Sequence, residues 1–303
     1  MATTTQPNLF KLMGPAIQAL AHCYNEPLQQ AIEQSGLTTT SWNMLLQVQG
    51  AEPGALTLDM LARKRPYLER ARLAAQLTTA TEHGLLAERP AEAYQLTERG
   101  RTALTNTFDA VHAALQPYQP LPEATLERAA ELLLRLVEAT VAAPEPADKQ
   151  DLLSSRRTDP GPQSSAAARI DQYLTDLLAF RDDAHRAAWQ PITSDGPAWE
   201  IFTRIWRGEA NTLAALQQQL ARREHSPGSF ERALHDLAAR GWISGDGTTY
   251  QPSQAGRALR EQAEELTDRY FYTAWNVLGE TEIDELHELL SRLRDSAPPA
   301  ASG

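Results

Sequence analysis

Apolar residues recur at helical spacing along most of this chain. Phe230, Leu234 and Leu237 stand at i, i+4 and i+7, which places them on one face of an amphipathic helix. Gly241 ends that helix, and two short β-prone stretches then flank a Gly-Asp-Gly turn. Such a turn favours a hairpin because glycine accepts a positive φ. The pattern therefore predicts a helix, a two-stranded wing and a further helix that begins near Ser253.

The same pattern occurs once more, earlier in the chain. Leu77 and Gly84 precede Leu234 and Gly241 by 157 residues, and the segments YQLTERGRTAL and YQPSQAGRALR follow at an interval of 156. Farther out, LPEATLERAAELLLRL and LGETEIDELHELLSRL again lie 157 residues apart. Chance matches do not keep one interval over about a hundred residues. We therefore interpret the sequence as a tandem duplication.

The duplication predicts how the 303 residues are divided. The first copy is expected over residues 1–142 and the second over residues 166–295. Residues 143–165 are rich in Pro, Gly, Ser and charge, which is typical of a linker, and residues 296–303 are expected to form a flexible tail. The predicted fold class is mainly α: two winged helix-turn-helix domains in tandem, arranged as a pseudo-dimer, each with a small β-wing.

Local signals predict the elements of the first copy. Periodicity predicts a long helix from Leu9 to about Ser35 and a short helix from Leu56 to Arg63. The recognition helix is expected to start at Pro66, because proline suits the first turn of a helix. Thr97 is expected to cap the helix that follows the wing.

Composition narrows the class of protein. A single cysteine excludes an internal disulfide framework and a cysteine-based zinc site. The chain start lacks the pattern of a signal peptide, and no apolar run approaches the ~20 residues that span a bilayer, so a cytoplasmic location without membrane contact is expected. Seven histidines show no metal-ligand spacing, and no catalytic motif is present. We expect no catalytic residue, metal or cofactor, and hence no enzyme.

Charge is unevenly distributed. The net charge of -11 disfavours a generally basic surface, although phosphate contacts require Lys or Arg. Residues 61–72, LARKRPYLERAR, contain five cations against Glu69 alone, whereas the segment from Glu280 to Glu288 is strongly acidic. The distribution predicts a basic surface on an otherwise acidic protein, with salt-sensitive affinity for nucleic acid.

In its order of elements each copy resembles the MarR-type winged-helix regulators. The resemblance rests on LTTATEHGLL…YQLTERGRTAL and LHDLAARGWI…YQPSQAGRAL with the closing helices, and it covers the chain apart from the linker and tails. It implies that the first and last helices of two copies interlock, that small ligands bind between that layer and the reading heads, and that two recognition helices enter successive major grooves of double-stranded DNA. One chain would then be a monomeric pseudo-dimer, or would pair as a homodimer. The Asp-x-Arg of the family's usual wing is present in neither wing here.

Candidate DNA contacts lie around the start of each recognition helix. They are cationic or hydrogen-bonding side chains suited to phosphates or base edges: Arg63, Lys64, Arg65, Arg70, Arg72 and Gln76 in the first head, and Arg222, Arg223, Ser229 and Arg232 in the second. The alternative is a solvated, charged helix start. Glu224 and Glu231 dilute the second set, so the first head is expected to supply more of the electrostatic attraction.

Two further hypotheses concern small-molecule control. Tyr272 and Trp275 are candidates for lining a ligand pocket, with core packing as the alternative. Cys23 is a candidate oxidation sensor, as the resemblance implies. The alternative is a structural thiol, because the residue 157 positions later is Phe180.

Two functions from different classes follow. The first is a non-enzymatic, DNA-binding transcriptional regulator of MarR-like type that a small-molecule effector controls. The second is a winged-helix scaffold that has lost DNA binding and serves as a protein-interaction or small-molecule-binding module. The acidic total and the lack of cations in the second wing favour the second.

Overall fold

The structure is a computed structural model that describes residues 5–226 and 228–297. This part of the chain is mainly helical, with small antiparallel sheets. The α-helices are α1 (Thr5–Gln34), α2 (Thr39–Gly50), α3 (Leu58–Lys64), α4 (Arg70–Glu82), α5 (Glu98–Leu115), α6 (Glu123–Ala142), α7 (Gln150–Ser155), α8 (Ala166–Trp189), α9 (Gly196–Trp206), α10 (Leu213–Gln219), α11 (Ser229–Ala239), α12 (Gln254–Thr273) and α13 (Glu280–Asp295). The strands are β1 (Leu56–Thr57), β2 (Leu86–Arg89), β3 (Ala93–Leu96), β4 (Ile243–Gly245) and β5 (Tyr250–Pro252). The expected flexible tail lies outside the described residues beyond position 297.

The elements on either side of α7 follow the same order. Each side has a long helix, three shorter helices, a hairpin and two closing helices: α1–α6 with β2 and β3, then α8–α13 with β4 and β5. Among the described helices, none combines the length and apolar character that crossing a membrane requires.

The two hairpins lie where the sequence predicts them. β3 lies between β1 and β2, and β2 pairs antiparallel with β3 so that Leu86 faces Leu96. β4 pairs antiparallel with β5, with Ile243 opposite Pro252. Gly84 and Gly241 precede the hairpins with φ of 67° and 70°, a conformation that glycine adopts without steric cost.

A hydroxyl caps the helix after each hairpin. Thr97 Oγ1 accepts a hydrogen bond from the Gly100 amide at 3.1 Å, and Ser253 Oγ accepts one from the Gly256 amide at 2.9 Å. Both side chains satisfy amides in the first turn that have no partner within the helix. The predicted cap of α5 at Thr97 is confirmed.

The helix that was predicted to be the recognition helix of the first copy starts later than expected. α4 begins at Arg70, and Pro66 belongs to the turn before it. This turn is packed rather than helical: the Tyr67 ring stacks on Trp189 at 5.8 Å. A Cβ atom on Gly196 would lie 2.0 Å from the Pro66 carbonyl oxygen. Contacts with distant residues, which local propensity does not report, therefore set the helix start.

The segment predicted to be a linker contains α7, docked on α8. Asp183 is 1% exposed, and its carboxylate accepts hydrogen bonds from the amides of Asp151 (3.0 Å) and Leu152 (2.9 Å). The buried Asp176 carboxylate accepts one from Arg156 Nη1 at 2.8 Å. Because both acceptors lie on α8, the composition of the segment does not reveal this packing.

Contacts divide the described chain into two compact units. The first unit comprises residues up to 56, 77–184 and from 269 onward, and the second comprises residues 57–76 and 185–268. The predicted copies, 1–142 and 166–295, divide the chain differently, because residues 57–76 pack with the later segment. The division into copies stays a prediction.

Each unit has its own core. In the first, α1 packs on α5 and α13, around buried aromatic side chains that include Phe180 and Phe271. In the second, Trp189 and Trp199 stack with ring centroids 5.6 Å apart, and Phe202 packs edge-on against Trp199. The candidate DNA contacts belong to the second unit.

Candidate nucleic-acid interface

The starts of α4 and α11 meet within the second unit. Glu69 immediately precedes α4, and its Oε1 atom accepts hydrogen bonds from Ser226 N (2.9 Å), Ser226 Oγ (3.0 Å) and Ser229 Oγ (2.7 Å). Ser229 is the first residue of α11, so the carboxylate lies at the positive end of that helix. We call the contact of Glu69 and Arg72 with residues 222–229 the helix junction.

Arg72 holds the other side of the helix junction. Its Nη1 atom donates to the Arg222 carbonyl at 2.9 Å and also to the Arg223 carbonyl, and its Nη2 atom lies 3.1 Å from Glu224. The carbonyls belong to a short 3-10 helix, Ala221–Arg223. The guanidinium therefore caps this helix, and its donors face protein groups rather than solvent.

The helix junction keeps Glu69 ionised. Burial acts to raise the pKa of Glu69, but hydrogen bonds from Ser229 and Ser226, together with His225, outweigh it and leave the pKa below its usual value. His225 Nδ1 lies 3.6 Å from Glu69. Burial lowers the pKa of His225, so the hydrogen bonds from Ser226 and Ser229 stabilise the carboxylate more than the histidine ring does.

Two more predicted DNA contacts have structural partners. Arg223 donates to both oxygens of Glu200, at 2.7 and 2.9 Å, and its guanidinium lies 5.6 Å from the centre of the Tyr67 ring. Lys64 is buried. These cations contribute to the packing of the second unit.

The remaining arginines are exposed. Their side chains are exposed and lie close in sequence to the start of α4 or α11: Arg63, Arg65, Arg70, Arg222 and Arg232. Arg63 belongs to the last turn of α3. Arg70 pairs with Asp59, and Arg232 Nη2 donates to Ser229 Oγ at 3.2 Å. Gln76 is half-buried. We call Arg70, Arg222 and Arg232 the junction arginines, because Arg222 belongs to the helix junction, Arg70 follows Glu69 and Arg232 bonds Ser229.

The structure thus brings most of the predicted site residues together, but around a contact that the sequence analysis missed. Arg72 and Ser229 were predicted to contact DNA, but Arg72 bonds the carbonyls of residues 222 and 223 and Ser229 bonds Glu69. From the sequence, Glu69 was noted only as the one acidic residue among the five cations of residues 61–72. The available signal was its spacing, since Ser226 lies 157 residues later, the interval of the repeat.

The first wing contains a cation and the second does not. The first wing exposes Arg89 between Glu88 and Glu92. In the second, Asp246 occupies the tip, and the hydrogen bonds that Thr248 and Thr249 donate to its carboxylate hold its pKa well below its usual value. The second wing therefore presents an ionised carboxylate, which phosphate repels.

The predicted ligand-pocket residues lie in the core of the first unit. Tyr272 and Trp275 are 7% and 0% exposed, and their rings pack against each other with centroids 5.4 Å apart. Phe271 packs against both. The aromatic cluster is close-packed, as the core alternative expects, and a ligand role for this pair stays a prediction.

Cys23 lies in a setting that suppresses its reactivity. Burial, with a smaller effect of Asp171, raises the pKa of the Cys23 thiol to about 11. Only the thiolate reacts readily with oxidants. At neutral pH the thiol is protonated, which favours the structural interpretation over the oxidation sensor.

Comparison with known proteins gives a family. A family model described as a helix-turn-helix family matches residues 150–301, a span that begins with α7 and includes α8–α13. No curated protein and no solved structure matches the chain. Because the matched residues make up half of the sequence, the chain belongs to this helix-turn-helix family, which at a coarse level indicates a DNA-binding regulator.

Proposed function

We propose that the chain is a DNA-binding transcriptional regulator of MarR-like type, in which two duplicated winged-helix copies form a pseudo-dimer within one polypeptide. The proposal depends on five exposed arginines around the starts of α4 and α11: Arg63, Arg65, Arg70, Arg222 and Arg232. The start of the recognition helix is the part that a helix-turn-helix protein offers to DNA. These arginines are present although the chain has a net charge of -11.

Two contacts support the duplication. Glu69 bonds Ser226 in the second unit, and Arg128 Nη2 lies 2.8 Å from Glu285 in the first. Each pair is separated by 157 residues, the interval found in the sequence. In a two-fold symmetric dimer, residues near the axis contact their own equivalents. Contacts between equivalent positions in both units are therefore what a fused pseudo-dimer predicts.

The family match covers mainly the proposed second copy, and the order of elements supports the same fold for the first. α1–α6 repeat the order of α8–α13, with the wing in the same place. The same cap, supplied by Thr97 or Ser253, follows each hairpin. These features support one ancestral module for both copies.

We also propose that a small ligand controls the protein by binding at Tyr272 and Trp275. The buried Nε1 atom of Trp275 has no hydrogen-bond partner among the described residues, and buried donors of this kind are normally satisfied. A ligand with an acceptor group that enters between Tyr272 and Trp275 would satisfy it. Such a ligand would favour the conformation with an opened aromatic cluster and shift the population toward it.

The alternative is a module that has lost DNA binding. It is favoured by the acidic tip of the second wing and by the internal use of Arg72 and Arg223. Under this alternative the exposed arginines are solvated surface residues, and reversing their charge leaves the binding of a protein or small-molecule partner unchanged.

Charge reversal at the exposed arginines tests the proposal. Labelled genomic fragments are titrated with the full chain at low salt and through a salt series, using Arg70→Glu and Arg232→Glu. We expect each variant to bind about tenfold more weakly and to lower the salt slope by about one. Arg292→Glu, which makes the same charge change at an exposed position of α13, is the control and should bind as the parent does. Absence of binding at low salt would reject the proposal.

A further inference from the structure

We infer that one chain binds a single short segment of duplex DNA, about one helical turn long, through the junction arginines, rather than two successive major grooves. This inference rests on the proposed function. It specifies the partner surface: the phosphates of one turn of duplex, contacted by both copies at a common patch.

The geometry of the helix junction excludes separate reading by the two helix starts. Paired helix-turn-helix heads contact half-sites roughly 34 Å apart, mainly through the N-terminal residues of the recognition helix. Here Ser229, the first residue of α11, lies 2.7 Å from Glu69, which adjoins the first residue of α4. While this bond holds, the two helix starts are too close together to enter half-sites that far apart.

Several independent contacts hold the helix starts together. Glu69 accepts three hydrogen bonds as an ionised carboxylate, and Arg72 donates to two backbone carbonyls as a cation. Charge-assisted bonds of this kind are stronger than neutral ones. The stacking of Tyr67 on Trp189 fixes the turn before α4 in the same unit. The helix junction is therefore a fixed feature of the surface that DNA meets.

The charges around the helix junction suit one phosphate patch. Arg70 follows Glu69 in the chain, Arg232 bonds Ser229, and the Arg222 carbonyl bonds Arg72. With Arg63 and Arg65, this gives five exposed arginines. Asp59, which pairs with Arg70, competes with phosphate there. Five phosphate contacts correspond to a salt slope no steeper than about -4.5.

Duplex length is the direct test. The full chain is titrated by fluorescence anisotropy against labelled random-sequence duplexes of about 10, 15, 20 and 30 base pairs at low salt. We divide each association constant by the number of positions at which the protein can bind that duplex. We expect this corrected affinity to reach its full value at about 10 base pairs and to stay constant for longer duplexes, with a salt slope within the limit given above. Arg222→Glu and Arg232→Glu should weaken binding at every length, whereas Arg292→Glu should not.

A matched pair of variants tests the helix junction itself. Glu69→Gln and Glu69→Ala remove the same charge, but only glutamine keeps an oxygen that can accept from Ser226 and Ser229. We expect Glu69→Ala to bind the shortest duplex about fivefold more weakly than Glu69→Gln, with circular dichroism showing that both variants remain folded. Equal affinities would remove the helix junction from the binding surface and reject the inference.

The outcomes separate the two levels of the proposal. Binding that appears only at about 20 base pairs or longer rejects the single-segment inference and leaves DNA binding intact. Failure to bind any of the duplexes at low salt rejects the proposed function as well.

Discussion

The two winged halves agree at the base of the wing. A Cβ atom on Gly100 would lie 2.3 Å from the Leu85 carbonyl oxygen, and one on Gly256 would lie 2.0 Å from that of Trp242. In both halves, the helix after the wing therefore touches the backbone where the hairpin begins. A side chain at this position would clash with that backbone, so glycine is strongly favoured there.

The halves differ in the segment that leads into α4 in the first half and into α11 in the second. In the first, a turn at Pro66 and Tyr67 packs on Trp189 and leads into α4. In the second, a 3-10 helix is followed by Glu224 in the left-handed conformation, with φ of 51°. The comparison indicates that backbone packing fixes the wing base, whereas the segment that we propose to face DNA varies in conformation and charge.

The largest expected effect tests the wing base. Gly100→Ala and Gly256→Ala should each lower the free energy of unfolding by about 3 kcal/mol, because the added methyl group meets a carbonyl that cannot move away. This loss exceeds the gain of about 1 kcal/mol that alanine brings to a helix. Urea denaturation followed by circular dichroism measures it.

Gly14→Ala is the matched control for both variants. Gly14 also lies within a helix, but a Cβ atom there would have nothing within 4 Å. Gly14→Ala should therefore raise the free energy of unfolding by about 1 kcal/mol, because alanine favours a helix more than glycine does. If either Gly100→Ala or Gly256→Ala were as stable as this control, the two halves would not share the close contact between glycine and the hairpin backbone.

The wing base could be predicted from sequence, and the helix junction could not. Gly84, Thr97 and Gly100 lie close together in the chain, so spacing and residue type were sufficient to place a helix end, a hairpin and a cap. The contact of Glu69 with Ser229 joins residues 160 positions apart. Local periodicity says nothing about such a contact, and the basic run around Glu69 pointed instead to a solvent-facing surface.

The predicted linker illustrates the same limit. Its Pro, Gly and Ser content is typical of a flexible connection, yet α7 forms there because Asp176 and Asp183 on α8 bond its residues. Buried aspartates within a helix that otherwise has an apolar face were the available signal. Each needs partners, and the preceding segment supplies them.

The effect of intermediate size concerns a difference between α1 and α8, the first helices of the two halves. Asp171 on α8 stands where the first half has Gly14. Burial raises the pKa of Asp171 to about 6, and a hydrogen bond from Tyr24 offsets this only in part. Asp171→Asn should therefore raise the free energy of unfolding by about 2 kcal/mol at pH 7.5, since the neutral amide avoids burying a charge.

The pH dependence distinguishes this cause from a packing effect. The folded protein holds the Asp171 proton more tightly than the unfolded chain, so the penalty is complete above pH 6 and disappears as the pH falls below the ordinary value of 3.8. The advantage of Asp171→Asn should disappear over the same range. Thermal melts from pH 3.5 to 8 measure it, and a gain independent of pH would contradict the assignment.

The smallest effect tests the equivalence of the two caps. Thr97→Ala and Ser253→Ala each remove the acceptor for a first-turn amide and the hydroxyl that bonds the glycine before the wing, at 2.7 Å for Gly84 and 2.6 Å for Gly241. Each should cost about 1 kcal/mol in urea denaturation, whereas Thr97→Ser and Ser253→Thr should cost only a few tenths. Because the caps lie in different units, the double alanine variant should lose the sum. A loss at one cap alone would show that the halves share the cap residues without sharing their energetic role.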